Sequence, residues 1–373
     1  MSIDIETYPL QSLSLNEAQS LQFRIIDTVT RHFTGHEVLS LGDLGVVKGY
    51  NKPVYTKKVE KVFADVFNAQ SALLVRGAGT GALRWALTST LKANQTILLH
   101  DAPIYPTTKV TLETMGINIV FADFNDEAAI TQAINENKDK INAVLVQHTR
   151  QKINDKYDFA KTVSYIKALL PNTSIITDDN YAALKVQKIG CQTGADLSSF
   201  SSFKILGPQG VGVILGKQEY IDKIEKYQYS GGSQVQGFEA MQALRGLIYA
   251  PVSLAISAQV SEELVQRLNN GEIESVKRAF IANAQSKVVL VELKKNYAKE
   301  LLEITPEFGA APHPVGSESI FEFAPMIYRV SGTFREQDPT LEKRMLRINP
   351  MRSGADTIIR ILKCSLEKVE ARN

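Results

Sequence analysis

The regular alternation of short apolar runs with amphipathic stretches is the feature of this 373-residue sequence that most limits its possible folds. Apolar runs of strand length recur between residues 71 and 215, and stretches with helical periodicity separate most of them. The expected strands are residues 71–75, 96–100, 117–122, 142–147, 174–178, 197–203 and 211–215. Strands that alternate with helices form βαβ units, so we predict a mostly parallel seven-stranded sheet covered by helices.

The remaining segments predict one smaller unit and an N-terminal arm. Residues 1–50 form the arm, with an amphipathic helix at 14–33, and residues 51–248 form the large domain. Residues 249–373 are expected to form a linking helix, which ends at Asn270-Gly271, and a small α+β domain. The sequence therefore predicts an α/β protein with two domains of unequal size.

Composition excludes several classes of function. The net charge is +2, from 42 basic and 40 acidic residues, and no basic stripe suggests nucleic-acid binding. Cys191 and Cys364 lack the spacing of a zinc site, so we expect no metal and two reduced thiols. The N-terminal residues lack the features of a signal peptide, and we find no apolar run of membrane-spanning length. These observations predict a cytoplasmic protein.

A glycine-rich turn at residues 77–82 predicts an anion-binding site. Gly77, Gly79 and Ala82 fit the G-x-G-x-x-G/A fingerprint of dinucleotide-binding turns, between an expected strand and an expected helix. Asp101 then stands where such folds carry a ribose-binding acid, so an NAD-dependent oxidoreductase is one hypothesis. The alternative is that the turn binds a different phosphate, or none.

Two further motifs follow apolar strands. Lys204 ends the run SSFSSFK and precedes a loop that contains glycines. Because burial of a lysine is costly, a lysine at the end of a core strand indicates a functional role. The alternative is a strand-end lysine that reaches solvent. Asp178 ends the apolar strand SIITD, and Asp179 and Tyr181 follow it. We expect Asp178 to face the crevice at the carboxyl edge of the sheet; the plainer reading of this segment is that Asp179 or Asn180 caps the next helix.

In sequence order, these segments resemble the fold-type I pyridoxal-phosphate (PLP) enzymes. GAGTGA resembles their phosphate-binding turn, DDNYA their D-x-x-Y strand end, SSFK their S-x-x-K Schiff-base motif, and LRINP the segment that contains a substrate-binding arginine. Within that superfamily the chain is most similar to an uncharacterised bacterial group related to class V aminotransferases and the Cys/Met-metabolism enzymes. The resemblance implies a large PLP-binding domain with a small C-terminal domain.

The resemblance also assigns roles to the cofactor-binding residues. Lys204 is implied to form the Schiff base with PLP, Asp178 to pair with the pyridine nitrogen, and Tyr181 to hydrogen-bond the ring's 3-oxygen. Tyr105 is implied to stack on the ring, with His100 as a competing candidate and a loop aromatic as the plainer alternative. The residues expected to hold the phosphate are Gly79, Thr80, Gly81, Ser201 and Ser202, and Ser233 is expected to reach a neighbouring subunit's phosphate across a dimer interface.

Substrate contacts are expected from three residues. Arg347, in LRINP, is implied to bind the substrate carboxylate, with Arg329 and Arg335 as other candidates. His148 and Arg150 stand where relatives usually have an asparagine, and we expect them to contact the substrate. The resulting hypothesis is a PLP-dependent enzyme that acts on an amino acid, with transamination preferred to β- or γ-elimination or racemisation. A non-catalytic PLP-binding protein stays an alternative, and a homodimer is expected, with a tetramer as its alternative.

Overall fold

The computed structural model describes residues 6–149, 152–283, 287–314 and 318–372. Their strands are β1 (Ser71–Arg76), β2 (Thr96–His100), β3 (Asn118–Ala122), β4 (Ile141–Gln147), β5 (Ser174–Asp178), β6 (Leu197–Ser201), β7 (Val211–Gly216), β8 (Val276–Ala282), β9 (Val288–Leu293), β10 (Met326–Arg329) and β11 (Met345–Asn349). Their α-helices are α1 (Leu15–His32), α2 (Val54–Val66), α3 (Ala78–Thr90), α4 (Pro106–Met115), α5 (Glu127–Asn137), α6 (Phe159–Leu169), α7 (Gln218–Tyr227), α8 (Gly237–Asn269), α9 (Ala298–Ile304), α10 (Gly332–Gln337), α11 (Leu341–Arg344) and α12 (Ala355–Glu370).

The large sheet confirms the predicted mostly parallel arrangement of seven strands. Its order is β1-β7-β6-β5-β4-β2-β3, and only β7 runs antiparallel to its neighbours. Because β7 reverses direction between β6 and β1, the carboxyl ends of β1, β2, β4, β5 and β6 all meet at one edge of the sheet. The turn after β1, Asp178 after β5 and the segment after β6 therefore lie at the same edge.

Helices cover both faces of this sheet because successive side chains of each strand point in opposite directions. Leu73 and Val75 of β1 pack in the cluster that contains α3, whereas Ala72 and Leu74 pack with α1, α2 and α8. Helix α1 begins at a capping box formed by Ser14 and Glu17, which satisfies the first amides of the helix. The sheet is thus the central layer of a three-layer domain.

The C-terminal part contains a second sheet, with order β10-β11-β9-β8 and antiparallel pairing throughout. Its apolar face packs on α8, α9 and α12, through Val291, Leu346 and Ile358 among others. Strand β8 shows only a weak alternation of buried and exposed residues. The small C-terminal domain itself is confirmed.

Two predicted boundaries differ from the structure. Helix α8 runs without a break from Gly237 to Asn269, so the boundary expected at 248/249 falls inside it. Pro251, a residue more typical of a first helical turn, lies within this helix. The strand expected at 197–203 ends at Ser201, and a short 3-10 turn over Ser202–Lys204 follows.

Helix α8 is long and apolar enough, by length and composition alone, to cross a membrane. Its buried side chains, such as Leu244, Leu247 and Leu254, belong instead to the core shared with α1, α2 and the large sheet. A buried core helix of a globular protein has this composition too.

Candidate active site

The turn between β1 and α3 presents free backbone amides at the start of a helix. The amides of Gly77 and Ala78 donate to the carbonyl of Gly210, at 2.9 and 3.1 Å, and the amide of Gly81 donates to the carbonyl of Gly77 at 2.8 Å. Within the described part of the chain, no acceptor pairs with the amides of Gly79 and Thr80. Two amides at a helix N-terminus attract an anion through their dipoles and through the helix dipole.

The glycines of this turn have different functions. A Cβ at Gly81 would lie 2.1 Å from the carbonyl oxygen of Arg76, so Gly81 permits the close contact of α3 with β1. The prediction that its amide binds the phosphate is wrong, because that amide is already bonded to Gly77. A Cβ at Gly79 would lie 2.7 Å from Oδ1 of Asn180. Thr80 Oγ1 lies 3.2 Å from Thr107 Oγ1, so two hydroxyl groups flank the free amides.

The turn is not a dinucleotide-binding turn. In the Rossmann fold the strand before the fingerprint lies inside a parallel sheet, next to the crevice where the strand order reverses. Here β1 is an edge strand and its one neighbour is antiparallel. Asp101 is mostly exposed and lies 3.7 Å from Lys152 Nζ, away from a ribose-binding position on a strand.

Asp178 is a buried carboxylate at the end of β5. Its Oδ1 accepts hydrogen bonds from the side-chain amide of Asn180, at 2.7 Å, and from the Asn180 backbone amide, at 3.0 Å. Burial raises the pKa of Asp178, while the two hydrogen bonds and the positive charge of Lys204 act in the opposite direction. A buried carboxylate that is only partly compensated is suited to bind a cationic ring nitrogen.

Lys204 projects from the 3-10 turn after β6 toward the same place. Its Nζ lies 3.5 Å from the centroid of the Tyr181 ring, in cation–π contact. Tyr181 has a left-handed backbone with φ of +66°, a rare conformation for an aromatic residue. The structure thus brings together Lys204, Asp178 and Tyr181, as the sequence predicted, and the ring of Tyr181 contacts the lysine.

Asn180 connects these parts, and sequence reasoning missed its role. Besides its bonds to Asp178, its Oδ1 accepts the backbone amide of Ser201 at 2.9 Å and lies beside Gly79. It therefore touches the phosphate turn, the buried acid and the segment that contains Lys204. The motif DDNYA indicated only part of this: an Asp side chain often accepts the backbone amide two residues later, but that bond does not depend on an asparagine at the later position, so the side-chain bonds of Asn180 were not indicated.

The two predicted serines are buried beside Lys204, and the phosphate contact of Ser201 stays a prediction, because its hydroxyl accepts one hydrogen bond and can still donate another. Ser201 Oγ accepts the backbone amide of Phe203 at 3.2 Å, and Ser201 is almost completely buried. Ser202 Oγ lies against Gly207, where a Cβ would approach it to 1.9 Å. The predicted phosphate contact of Ser202 is therefore wrong, since the loop backbone covers its hydroxyl.

His148 lies on the opposite face of the sheet from Asp178. Gln147, in register with Asp178, lines a small cavity with Leu99 and Leu145, whereas the next residue, His148, stacks at 3.6 Å on Phe159 of α6. His148 Nδ1 is 2.8 Å from Asp179 Oδ1, and both residues are buried. The predicted substrate contact of His148 is wrong, because the alternation of strand side chains directs it away from the crevice. Arg150 lies outside the described residues.

Tyr105 and His100 border the cavity of about 40 Å³ that Gln147 lines. Tyr105 is half exposed at the start of α4, so its ring is available at the mouth of the crevice. His100 Nε2 contacts Asp155 Oδ1 at 3.0 Å, and His100 Nδ1 accepts the amide of Phe124. Because both ring nitrogens are engaged, His100 is a structural residue, and stacking by Tyr105 stays a prediction.

Arg347 lies on β11, the strand between β9 and β10 in the small sheet. Its guanidinium group is 4.0 Å from the ring centroid of Tyr328, the residue opposite it on β10. Its buried Nε has no hydrogen-bond partner among the described residues. A guanidinium held by an aromatic face with a free N–H is suited to bind a carboxylate. Arg329 is exposed on β10, and Arg335, whose buried Nε also lacks a partner among the described residues, already lies 3.6 Å from the carboxylate of Glu342.

Ser233 lies in a short 3-10 turn before α8, where its amide donates to the carbonyl of Ser230. In the described chain its hydroxyl has no contact with the turn at Thr80 or with Lys204. Its predicted role at a neighbouring subunit's phosphate stays a prediction.

Comparison with known proteins identifies the family. The model of the class-V aminotransferase family matches residues 51–295, which is more than half of the chain. The chain belongs to the class-V aminotransferase family. The model of the C-terminal domain of YhfS-like proteins matches residues 262–362.

Individual relatives agree with this family. The uncharacterized protein YhfS of Escherichia coli (strain K12) is 49% identical over 365 residues, which cover 98% of this chain and 100% of that protein. The crystal structure of the pyridoxal-5'-phosphate-dependent protein YhfS from Escherichia coli superposes with a TM-score of 0.95 over 97% of this chain and 99% of the other. The cystathionine gamma lyase CalE6 of Micromonospora echinospora shares the fold, with a TM-score of 0.73 at 15% identity over 93% and 99% of the two chains.

Class-V aminotransferases use pyridoxal 5'-phosphate, and the residues of this site fit that cofactor. The free amides of Gly79 and Thr80 and the Thr80 hydroxyl suit a phosphate, the buried Asp178 suits a pyridine nitrogen, and Lys204 offers a primary amine to an aldehyde. These three binding groups come from different strand ends at one edge of the sheet. Their chemistry matches the three polar ends of PLP.

Proposed function

We propose that the chain is a PLP-dependent aminotransferase whose substrate has an α-amino group and an α-carboxylate. One observation carries the proposal: Lys204 Nζ lies over Tyr181 within electrostatic reach of the buried Asp178. PLP, when bound, supplies an electron sink for negative charge at the carbon next to the amine. The protein's contribution is then to hold, orient and move protons.

The residues at the edge of the large sheet have different roles in the proposed reaction. Gly79 and Thr80 bind the phosphate through their amides, and Asp178 keeps the ring nitrogen protonated by its negative charge. Asn180 holds the carboxylate of Asp178 in place. Lys204 would hold the cofactor through its primary amine, and the same amine would take and return the α-proton of the substrate.

Arg347 orients the substrate in this proposal. Two parallel hydrogen bonds from a guanidinium to a carboxylate fix the plane of that carboxylate, and hence the direction of the bonds at the α-carbon. The contact of Arg347 with Tyr328 supports this role, because an aromatic face holds the plane of the guanidinium in one orientation. A fixed carboxylate would also fix which bond at the α-carbon faces the Lys204 amine, and transamination would need this to be the bond to the α-proton.

The test combines covalent trapping with product analysis. Borohydride reduction of the yellow, PLP-loaded protein should attach the cofactor to the peptide that contains Lys204, and Lys204→Ala should abolish this attachment. An amino-acid panel without added oxo acid should then give one 2-oxo acid per active site and an aminated cofactor. Attachment to a different lysine would refute the site, whereas continuous release of ammonia would refute transamination.

Elimination is the second candidate. Several proteins with this fold are carbon–sulfur lyases, and CalE6 is one of them. Another is a carbon-sulfur lyase involved in aluminum resistance from Clostridium novyi NT. Its structure superposes with a TM-score of 0.71 at 16% identity, over 95% of this chain and 91% of the other. The same panel distinguishes the two, because elimination releases ammonia and a thiol or sulfide catalytically.

We also propose a homodimer. Large apolar side chains are exposed around the loop at 39–50 and near the start of α8, including Leu41, Leu44, Tyr229 and Phe238. The amide of Gly45 donates to Gln236 Oε1, and Asn51 Nδ2 donates to the carbonyl of Tyr229, so these loops form one surface. Light scattering should give twice the chain mass, and Ser233→Ala should then weaken PLP binding only in the dimer.

A further inference from the structure

A buried ion pair links the large and the small domain beside the proposed site. Lys185 Nζ lies 2.6 Å from Glu318 Oε1, and both side chains are less than a tenth exposed. The same Oε1 accepts a hydrogen bond from Asn349 Nδ2 at 3.2 Å. The carbonyl oxygen of Glu318 accepts the backbone amide of Leu206 at 3.3 Å. One residue of the small domain thus contacts three other segments.

Each of these segments contains a residue of the proposed site. Leu206 is two positions after Lys204, and Asn349 is two positions after Arg347 on β11. Residues two apart on a strand share a face, so Asn349 and Arg347 point to the same side of the small sheet. Lys185 follows Tyr181 by one turn, and its Nζ is 5.7 Å from the Tyr181 ring centroid, against which Lys204 also packs.

Strained backbone conformations gather in the same segments. Apart from three asparagines, six described non-glycine residues have a left-handed φ: Ala78, Tyr181, Leu184, Leu206, Glu318 and Met351. Leu184, Leu206 and Glu318 either form the contacts of the ion pair or adjoin it, and the amide of Met351 donates to Asn349 Oδ1. Such strain persists only where the surroundings fix the backbone firmly, and it concentrates at functional sites.

We propose that the Lys185–Glu318 pair is a positioning device that fixes Arg347 relative to Lys204. This inference rests on the proposed function, because it uses the roles given there to Arg347 and Lys204. Stability alone does not explain a buried ion pair, because two apolar residues of similar volume often give a fold equal or greater stability. Its advantage is directional, because Oε1 of Glu318 joins Lys185 to Asn349 while the backbone carbonyl of the same residue accepts the amide of Leu206. Neither residue is proposed to touch the substrate.

The position of Arg347 can be measured without knowing the substrate. Aminooxyacetate and methoxyamine both react with protein-bound PLP and remove its yellow absorbance, but only aminooxyacetate has a carboxylate for Arg347. The ratio of their rate constants therefore reports how well Arg347 is placed relative to the cofactor. We expect the ratio to fall at least about tenfold in Lys185→Met and Glu318→Ala, because small misplacements of binding groups cost this much or more.

Two variants separate positioning from loss of stability. Glu318→Gln keeps an acceptor for Lys185 and Asn349, so it should retain most of the wild-type ratio. Lys52→Met breaks the equally buried Lys52–Glu60 pair, 2.9 Å long, which contacts none of the three segments, and should leave the ratio unchanged. An unchanged ratio in Lys185→Met, or an equal fall in Lys52→Met, would overturn the proposal. If Glu318→Ala does not fold, Lys185→Met decides the outcome.

Hydrogen exchange of the cofactor-free protein gives an independent measurement. Peptides that contain residues 202–208 and 345–353 should exchange faster in Lys185→Met than in wild type, and Lys52→Met should not change them. Unchanged exchange of both peptides in Lys185→Met would contradict the positioning role even if the protein proved not to bind PLP. A wild-type protein that stays colourless would instead refute the proposed function.

Discussion

Removal of the Asn180 side chain should weaken PLP binding more than its small size suggests. Asn180→Ala deletes the 2.7 Å hydrogen bond to the buried carboxylate of Asp178 and leaves the amide of Ser201 without its acceptor. A hydrogen bond to a charged group contributes about 1.5–3 kcal/mol. Since 1.4 kcal/mol is a factor of ten, the dissociation constant of PLP should rise roughly 10- to 100-fold.

The pH dependence of the same variant tests the cause. Burial already raises the pKa of Asp178, and the hydrogen bonds from Asn180 oppose that rise. In Asn180→Ala the pKa of Asp178 should rise further. During an acid titration the carboxylate should therefore become neutral at a higher pH than in wild type, and PLP affinity should be lost at that higher pH. Fluorescence titration of cofactor-free protein with PLP across this pH range measures both effects.

The control for this experiment is Asn118→Ala. Asn118 is exposed on β3 and its side chain donates a 3.0 Å hydrogen bond to the carbonyl of Asn94, remote from the site. Its removal should leave the dissociation constant unchanged. A PLP affinity for Asn180→Ala within twofold of wild type, at every pH, would refute the reasoning that Asn180 supports Asp178.

Three other changes should have separate results. Gly81→Ala should destabilise the fold by about 1–3 kcal/mol or more, because the new Cβ would overlap the Arg76 carbonyl. Gly35→Ala is the control, since the space around Gly35 is open and the fold should keep its stability. Urea unfolding measures the free energy of unfolding of both variants. Asp178→Asn should raise the Tm of the cofactor-free protein near neutral pH, because a carboxyl whose pKa is raised by burial costs folding free energy when it is ionised. That gain should vanish as the pH falls below the ordinary carboxyl pKa of about 3.9, and a constant gain at all pH values would contradict this cause. Arg347→Lys should lower the aminooxyacetate-to-methoxyamine rate ratio roughly tenfold through loss of the bidentate contact, and an unchanged ratio would exclude Arg347 as the carboxylate site.

Sequence periodicity was sufficient for the sheet and for the residues at its strand ends. The apolar runs located β1 to β7, and the common edge then brought Asp178 and Lys204 together. The face on which a strand-end residue projects was harder to predict, because it depends on the register of pairing. Gln147 is in register with Asp178 and shares its face, so its neighbour His148 points to α6, and the substrate contact expected of His148 failed.

Interactions between distant segments were beyond the sequence pattern. Glu318 and Lys185 are 133 positions apart, and neither stands in a motif of the family resemblance. The free amides at Gly79 and Thr80 were predictable from helix geometry, but the bond of the Gly81 amide to Gly77 depends on where α3 begins. A shift of one residue in a helix start changes which amides remain free.

The carbonyl of Gly210, which accepts the amides of Gly77 and Ala78, has a consequence for ligand size. These hydrogen bonds attach the turn after β1 to the loop that begins at Lys204. The chain from Lys204 to Gly210 therefore sets the distance between the lysine amine and the free amides of Gly79 and Thr80. Gly207 and Gly210 keep this loop compact. A Cβ at Gly207 would overlap Ser202, and Gly210 has a left-handed backbone with φ of +75°. A ligand that reaches both Lys204 and the free amides of Gly79 and Thr80 would therefore have to match this distance.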